Sequence, residues 1–105
     1  MDDRVMVILR WDEDADSALE RYETAVALWR ERFADTSHGP GHAIAGRSER
    51  GGLVVVNVFD SDDDHLAFGQ KMGEPLAAVR LPTPDVEHVS ARLLGRPDDL
   101  MRRGT

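Results

Sequence analysis

Asn57, His88 and Arg10 are the residues of this chain best suited to polar chemistry on a small molecule. Asn57 is the one polar residue inside the apolar run Leu53-Val54-Val55-Val56-Asn57-Val58-Phe59. A buried amide left without partners costs about 1–3 kcal/mol. Asn57 therefore polarises a substrate carbonyl, holds an oxyanion, or pairs with a neighbouring side chain or across a dimer. His88 alternates with Ser90 and Arg92 along one side of a β-rich segment, opposite Val89, Ala91 and Leu93. Imidazole is the natural general base near neutral pH, so that side is either the rim of a pocket or the wet face of an edge strand. Arg10 follows the apolar run Val5 to Leu9. Its planar fork suits a carboxylate or a phenolate, and from a strand end it can equally reach water. If all three share a face, a base, an amide and a cation surround one cavity. The sequence leaves the parity of each strand open.

Other residues extend or limit that picture. Tyr22, Trp29 and Phe33 lie at helical spacing, where large aromatics either wall a cavity for a planar ligand or simply fill a core. Phe59, at the end of its strand, and His65, near the start of the following helix, are candidates for the ligand wall, as are Ser90 and Arg92. His38 and His42 flank Gly39-Pro40-Gly41, but no Asp/Glu pattern completes a metal site there. The run Asp60, Asp62, Asp63, Asp64 lacks the glycine and distal Glu of a calcium loop, and reads better as an acidic helix start. Ser61 has no recognisable nucleophile motif around it. No Gly-rich phosphate loop is present, since Gly51-Gly52 precedes a strand rather than a helix. No metal and no cofactor is called for.

Six periodic segments must position these groups. Val5 to Trp11 is β-rich. Asp12 to Asp16 is an acidic turn that suits the positive end of a helix, and from about Asp16 to Phe33 the residues Leu19, Tyr22, Val26, Trp29 and Phe33 form an apolar stripe. A turn-rich break leads to a weak strand, His42 to Ser48. The Gly51-Gly52 pair marks a hairpin before Leu53 to Phe59, the strongest strand. Ser61 suits an N-cap with Asp64 three residues on, opening a helix with His65, Phe68, Met72, Leu76 and Val79 on one side. Gly73 and Pro75 are expected to break or kink that helix, and Pro82-Thr83-Pro84 to end it. Val86 to Leu94 is the fourth strand. Residues 1–94 read as a single domain and 95–105 as a flexible tail.

The order β-α-β-β-α-β is the ferredoxin-like α+β plan, an antiparallel sheet with two helices on one face. Right-handed crossovers place the first and third strands in the centre. The third strand is apolar on both sides, so the face away from the helices exposes an apolar patch that a second copy would cover. A homodimer through the sheet face is the expected partner.

Composition narrows the rest. The chain has 105 residues, with 13 Lys+Arg, 20 Asp+Glu and a net charge of -7, an acidic balance that argues against nucleic acid as a partner. The absence of cysteine removes disulfides, thiolate catalysis and Cys-ligated metals. No apolar run is long enough for a membrane span or a signal-peptide core, so no membrane partner and a cytoplasmic setting are expected.

The strand–helix junction Gly52 to Asp63, the Met72-Gly73-Glu74-Pro75-Leu76 helix break and the stretch Leu81 to Val86 resemble the dimeric α/β-barrel superfamily, in particular small actinobacterial proteins of the antibiotic-biosynthesis-monooxygenase type. The resemblance covers about residues 4 to 94. It implies a homodimer, and an activity drawn from cofactor-free oxygenation, haem degradation, lactone isomerisation or polyketide cyclisation, or none at all. Haem-degrading members typically carry Trp where this chain has Phe59, a histidine well inside the second helix, and an asparagine on the first strand. Here that helix has only His65, near its start, and the first strand has no Asn. Two readings follow: a homodimer binding a small aromatic or polyketide-like molecule between sheet and helices, as a cofactor-independent monooxygenase, cyclase or isomerase, or a non-catalytic homodimeric binding or regulatory module.

Overall fold

A computed structural model describes residues 4–33 and 39–92. His38 and the tail expected at 95–105 lie outside the described residues. The element order is β1 (Arg4–Asp14), α1 (Ala15–Phe33), β2 (His42–Arg47), β3 (Gly52–Phe59), α2 (Asp62–Ala78) and β4 (Asp85–Ala91). The four strands form one antiparallel sheet in the order β2-β3-β1-β4. The two apolar strands therefore take the centre, as their composition requires.

Directly paired residues of an antiparallel sheet point to the same side, so the register sorts every side chain. Val7 pairs with Asn57 on β3 and with His88 on β4, and Asn57 pairs with Ala43 on β2. Those four residues form one row on the helix-facing side. The same side of the central strands presents Trp11, Leu53, Val55 and Phe59, all buried. The opposite side presents Met6, Ile8, Val54, Val56, Val58, Val89 and Ile44, half-buried or exposed, with Ile44 at 70%. Two apolar faces on one sheet, only one of them covered by helices, is the arrangement that strand three implied.

The helices close the first face. Helix α1 buries Ala15, Ala18, Tyr22, Ala25 and Trp29, a stripe at spacings of three and four. The expected stripe named the large residues; the alanines between them let the helix lie close on the sheet. Helix α2 starts on Ser61, whose side chain accepts from the Asp64 amide at 3.1 Å. The expected break at Gly73 and Pro75 does not occur. Pro75 lacks only its own N–H donor, its ring is buried, and α2 runs one further turn to Ala78. Its end is set earlier than Pro82: Arg80 takes a left-handed φ of 61° and the Leu81 amide reaches back to the Leu76 carbonyl at 3.1 Å, a closing turn that satisfies the last carbonyls.

Two apolar clusters form between the layers. Val7, Ala25, Trp29, Phe59, Phe68 and Met72 make one; Trp11, Ala18, Tyr22, Leu53, Val55 and Leu81 make the other. Among the described residues no helix is long and apolar enough to cross a membrane.

Candidate functional site

Between the sheet and α2 lies a cavity of about 330 Å³. Its floor is β1 and β3, through Val7, Leu9, Asn57 and Phe59; its roof is α2, through Phe68, Met72 and Leu76. Tyr22 closes the α1 side and the segment Leu81 to Pro84 closes one end. That segment is pinned from below by the Trp11 indole, whose Nε1 donates to the Pro82 carbonyl at 2.7 Å, and from α1 by Arg21, which donates to the Arg80 carbonyl at 3.0 Å. The roof is thin for a reason of sequence. Gly69 and Gly73, four residues apart on α2, both border the cavity, and a Cβ on either would meet nothing within 4 Å.

The wall is apolar apart from a few placed groups. Asn57 is 2% exposed and is the only buried polar residue among the described ones. Its Nδ2 donates to the Tyr22 hydroxyl at 3.2 Å, while its Oδ1 has no partner among the described residues. Burial pushes the Tyr22 phenol up from its ordinary value, against a smaller opposing effect of the Asn57 hydrogen bond, so Tyr22 stays protonated and can donate. His65 is held on the first turns of α2. Its ring lies against Phe59 at 5.2 Å between centroids, and its Nε2 is 2.8 Å from His88 Nε2. One of those two nitrogens carries the hydrogen and the other accepts it. His65 Nδ1 is buried without a partner among the described residues. Burial, and secondarily the neighbouring His88, lower the pKa of His65, with Asp62 acting the other way.

The structure thus brings together Asn57, Tyr22, Phe59 and His65 on the cavity wall, with His88 joined to it through His65. It separates Arg10 from them. Arg10 pairs with Val54 and Asp85, which puts it on the sheet face away from the helices, where it meets Glu87 at 3.2 Å. A residue at an even position of β1 cannot share a face with one at an odd position, so of base, cation and amide only His88 and Asn57 share a face, and of those two only Asn57 lines the cavity. Trp29 packs edge-on against Phe68 at 5.0 Å in the core rather than on the cavity wall. Ser90 continues the His88 side of β4 and Arg92 follows the end of that strand; both are exposed and neither lines the cavity. The contribution of the Leu81–Pro84 segment and of the paired glycines went unread in the sequence. The spacing of Gly69 and Gly73 on the side of α2 that carries Phe68 and Met72 was the available signal. No group of three or more metal-ligating side chains occurs among the described residues.

No protein-family model matches this sequence, and no curated protein does. Solved structures do match in shape. SnoaB, a cofactor-independent oxygenase from Streptomyces nogalater, superposes with a TM-score of 0.59 at 18% identity, over 87% of this chain and 95% of its own. A protein from Caulobacter crescentus described as an antibiotic biosynthesis monooxygenase gives 0.57 at 14% identity, over 88% and 92%. One of the same description from Bordetella bronchiseptica gives 0.54 at 19%, over 86% and 98%. Identity this low speaks to architecture alone, and on that ground the chain shares the ferredoxin-like α+β fold of these structures.

Proposed function

We propose that this protein is a homodimer that takes a small, flat aromatic or polyketide-like molecule into the cavity between sheet and α2 and oxygenates it without a bound cofactor. The observation that carries this reading is the make-up of the cavity: about 330 Å³ of apolar wall with an unsatisfied amide oxygen, a phenol and an imidazole set into it. Small-molecule sites combine an apolar enclosure with a few placed polar groups in this way. The shared architecture with an oxygenase described as cofactor-independent supports the reaction class.

In such a reaction the substrate supplies the electrons. A CH₂ acidified by its conjugated neighbours loses a proton to a base, the carbanion reduces O₂ with formation of a C–O bond, and the hydroperoxide collapses to a ketone. The balance is R₂CH₂ + O₂ → R₂C=O + H₂O. The protein needs a base, hydrogen-bonding groups to orient the ring system, and a site that excludes bulk water. His65, kept neutral by burial, is the cavity-side base through Nδ1. Its Nε2 proton then passes over 2.8 Å to His88 Nε2, on an exposed ring, which returns it to solvent. Asn57 and Tyr22 hold the substrate. Arg10, on the other face of the sheet, takes no part. That second face supports the dimer: Met6, Ile8, Ile44, Val54, Val56, Val58 and Val89 form an apolar surface that a second copy would cover.

The test is native mass spectrometry of the untagged protein, followed by oxygen uptake with phenolic aromatic ketones that carry an acidic CH₂. The reading expects a doubled mass, one ligand per chain, and a product with one oxygen more and two hydrogens fewer. Asn57→Leu and His88→Gln should leave the dimer intact while losing ligand binding and turnover respectively. A monomer that binds none of these compounds would overturn it; a dimer that binds them without consuming oxygen would favour a binding module.

A further inference from the structure

The geometry points to a specificity of the cavity for a neutral hydroxyl group: the Asn57–Tyr22 pair selects a phenol or enol over its ether, its quinone or its anion. This rests on the reading that the cavity holds a flat ligand, and adds the functional group by which the ligand is recognised.

Asn57 and Tyr22 each have one hydrogen-bonding function spent on the other. The amide Nδ2 donates and the phenol oxygen accepts, at 3.2 Å. The functions left over on the two residues are complementary. Asn57 Oδ1 is an acceptor with no donor among the described residues, on a residue that is 2% exposed. The Tyr22 O–H is a donor, kept protonated because burial raises its pKa. Both residues line the cavity. One acceptor and one donor side by side are satisfied together by a single hydroxyl, which accepts from Tyr22 and donates to Asn57. A carbonyl satisfies only Tyr22 and leaves Oδ1 orphaned. An ether oxygen has no proton to give. A phenolate brings its charge against the Oδ1 lone pairs in a low-dielectric wall. The arrangement therefore does not hold an oxyanion, which was one of the roles open to Asn57 in the sequence. The hydroxyl anchors one end of the ligand, and the rest of the ring system extends between Phe59 and α2.

Rejection of a ligand that leaves a buried polar group unpaired is strong in sites of this kind. The experiment compares four naphthalenes of nearly equal size on the full chain at neutral pH: 2-naphthol, 2-methoxynaphthalene, 1,4-naphthoquinone and naphthalene itself. Binding is measured by calorimetry or by quenching of tryptophan fluorescence. The expected result is that 2-naphthol binds about tenfold to a hundredfold more tightly than the other three. Asn57→Leu should erase that advantage by weakening naphthol alone, and Tyr22→Phe should reduce it. Where a variant fails to fold by circular dichroism, the ranking on the unaltered protein decides. Equal affinity for all four compounds, or a preference for the quinone, would overturn the hydroxyl specificity while leaving the cavity reading in place. Binding of none of them would overturn both.

Discussion

His65 on α2 and His88 on β4 meet nitrogen to nitrogen at 2.8 Å, and the contact can exist only while at least one of the two rings is neutral. With both rings neutral one Nε2–H points at the other lone pair. With both charged, two donors and two positive charges face each other.

Acidification should therefore loosen the His65–His88 contact that joins α2 to β4. The His65 pKa lies below its ordinary value of 6.5, so as the pH falls the unfolded chain takes up this proton before the folded one does. The contribution is fully present above about 6.5 and is lost as the pH drops through the lower folded value. Thermal melting between pH 8 and pH 5 should show a falling midpoint. His88→Gln removes the second imidazole and should lessen the fall while leaving the larger part, which burial causes; an equal fall in the variant would show that His65 does not feel His88.

The cavity should be removable without harming the fold. Gly73 sits inside α2, borders the cavity, and has open space where a Cβ would go. Gly73→Ala should stabilise the protein by about 0.5–1 kcal/mol, because glycine loses more backbone freedom in a helix than alanine does. Gly73→Leu should keep the fold and abolish naphthol binding by filling the space. Denaturant melts paired with ligand titrations separate the two effects.

Gly52 should tolerate nothing larger. It begins β3 where the pairing with β1 slips between Trp11 and Asp14, and a Cβ there would run into the Trp11 carbonyl oxygen. That obstacle is backbone and cannot swing away. Gly52→Ala should destabilise the protein by more than about 1 kcal/mol, whereas Gly46→Ala, with open space around it, should cost far less. Urea denaturation of the two variants side by side makes the comparison.

A charge on the uncovered face should act on assembly rather than on the core. Val56 lies in the middle of that face, opposite Ile8 and Ile44. Val56→Asp should convert a dimer to monomers on size-exclusion chromatography, since an uncompensated carboxylate at the centre of an apolar interface is costly to bury. A dimer that survives this change is not built on this face.

The strand and helix order was legible in the sequence because it depends on local periodicity. The central placing of Leu53–Phe59 followed from its being apolar at almost every position. The singularity of Asn57 was legible for the same reason: one polar side chain in an apolar strand must have a use or a partner, and the structure gives it Tyr22. What could not be read was parity between strands. Arg10 and Asn57 look equivalent as polar residues of central strands, but the pairing of Arg10 with Val54 and of Val7 with Asn57 sends them to opposite sides. The His65–His88 contact was also out of reach, because it joins a helix to an edge strand 23 positions away and neither residue's neighbours announce it. Pro75 misled as a helix breaker because its buried ring helps hold the helix down.

Strand β3 carries two alternating sets of side chains, Leu53, Val55, Asn57 and Phe59 toward the helices and Val54, Val56 and Val58 toward the other face. Both sets are built from nearly the same residue types, so hydrophobicity alone does little to stop the strand from shifting by one place. A single-residue insertion or deletion in the Ser48–Gly51 turn would threaten such a shift and exchange the two sets, turning the Asn57 amide out of the cavity and Val56 or Val58 into it. Many residues of β3 can change and leave this arrangement in place, but the length of that short turn fixes which of the two sets meets the helices.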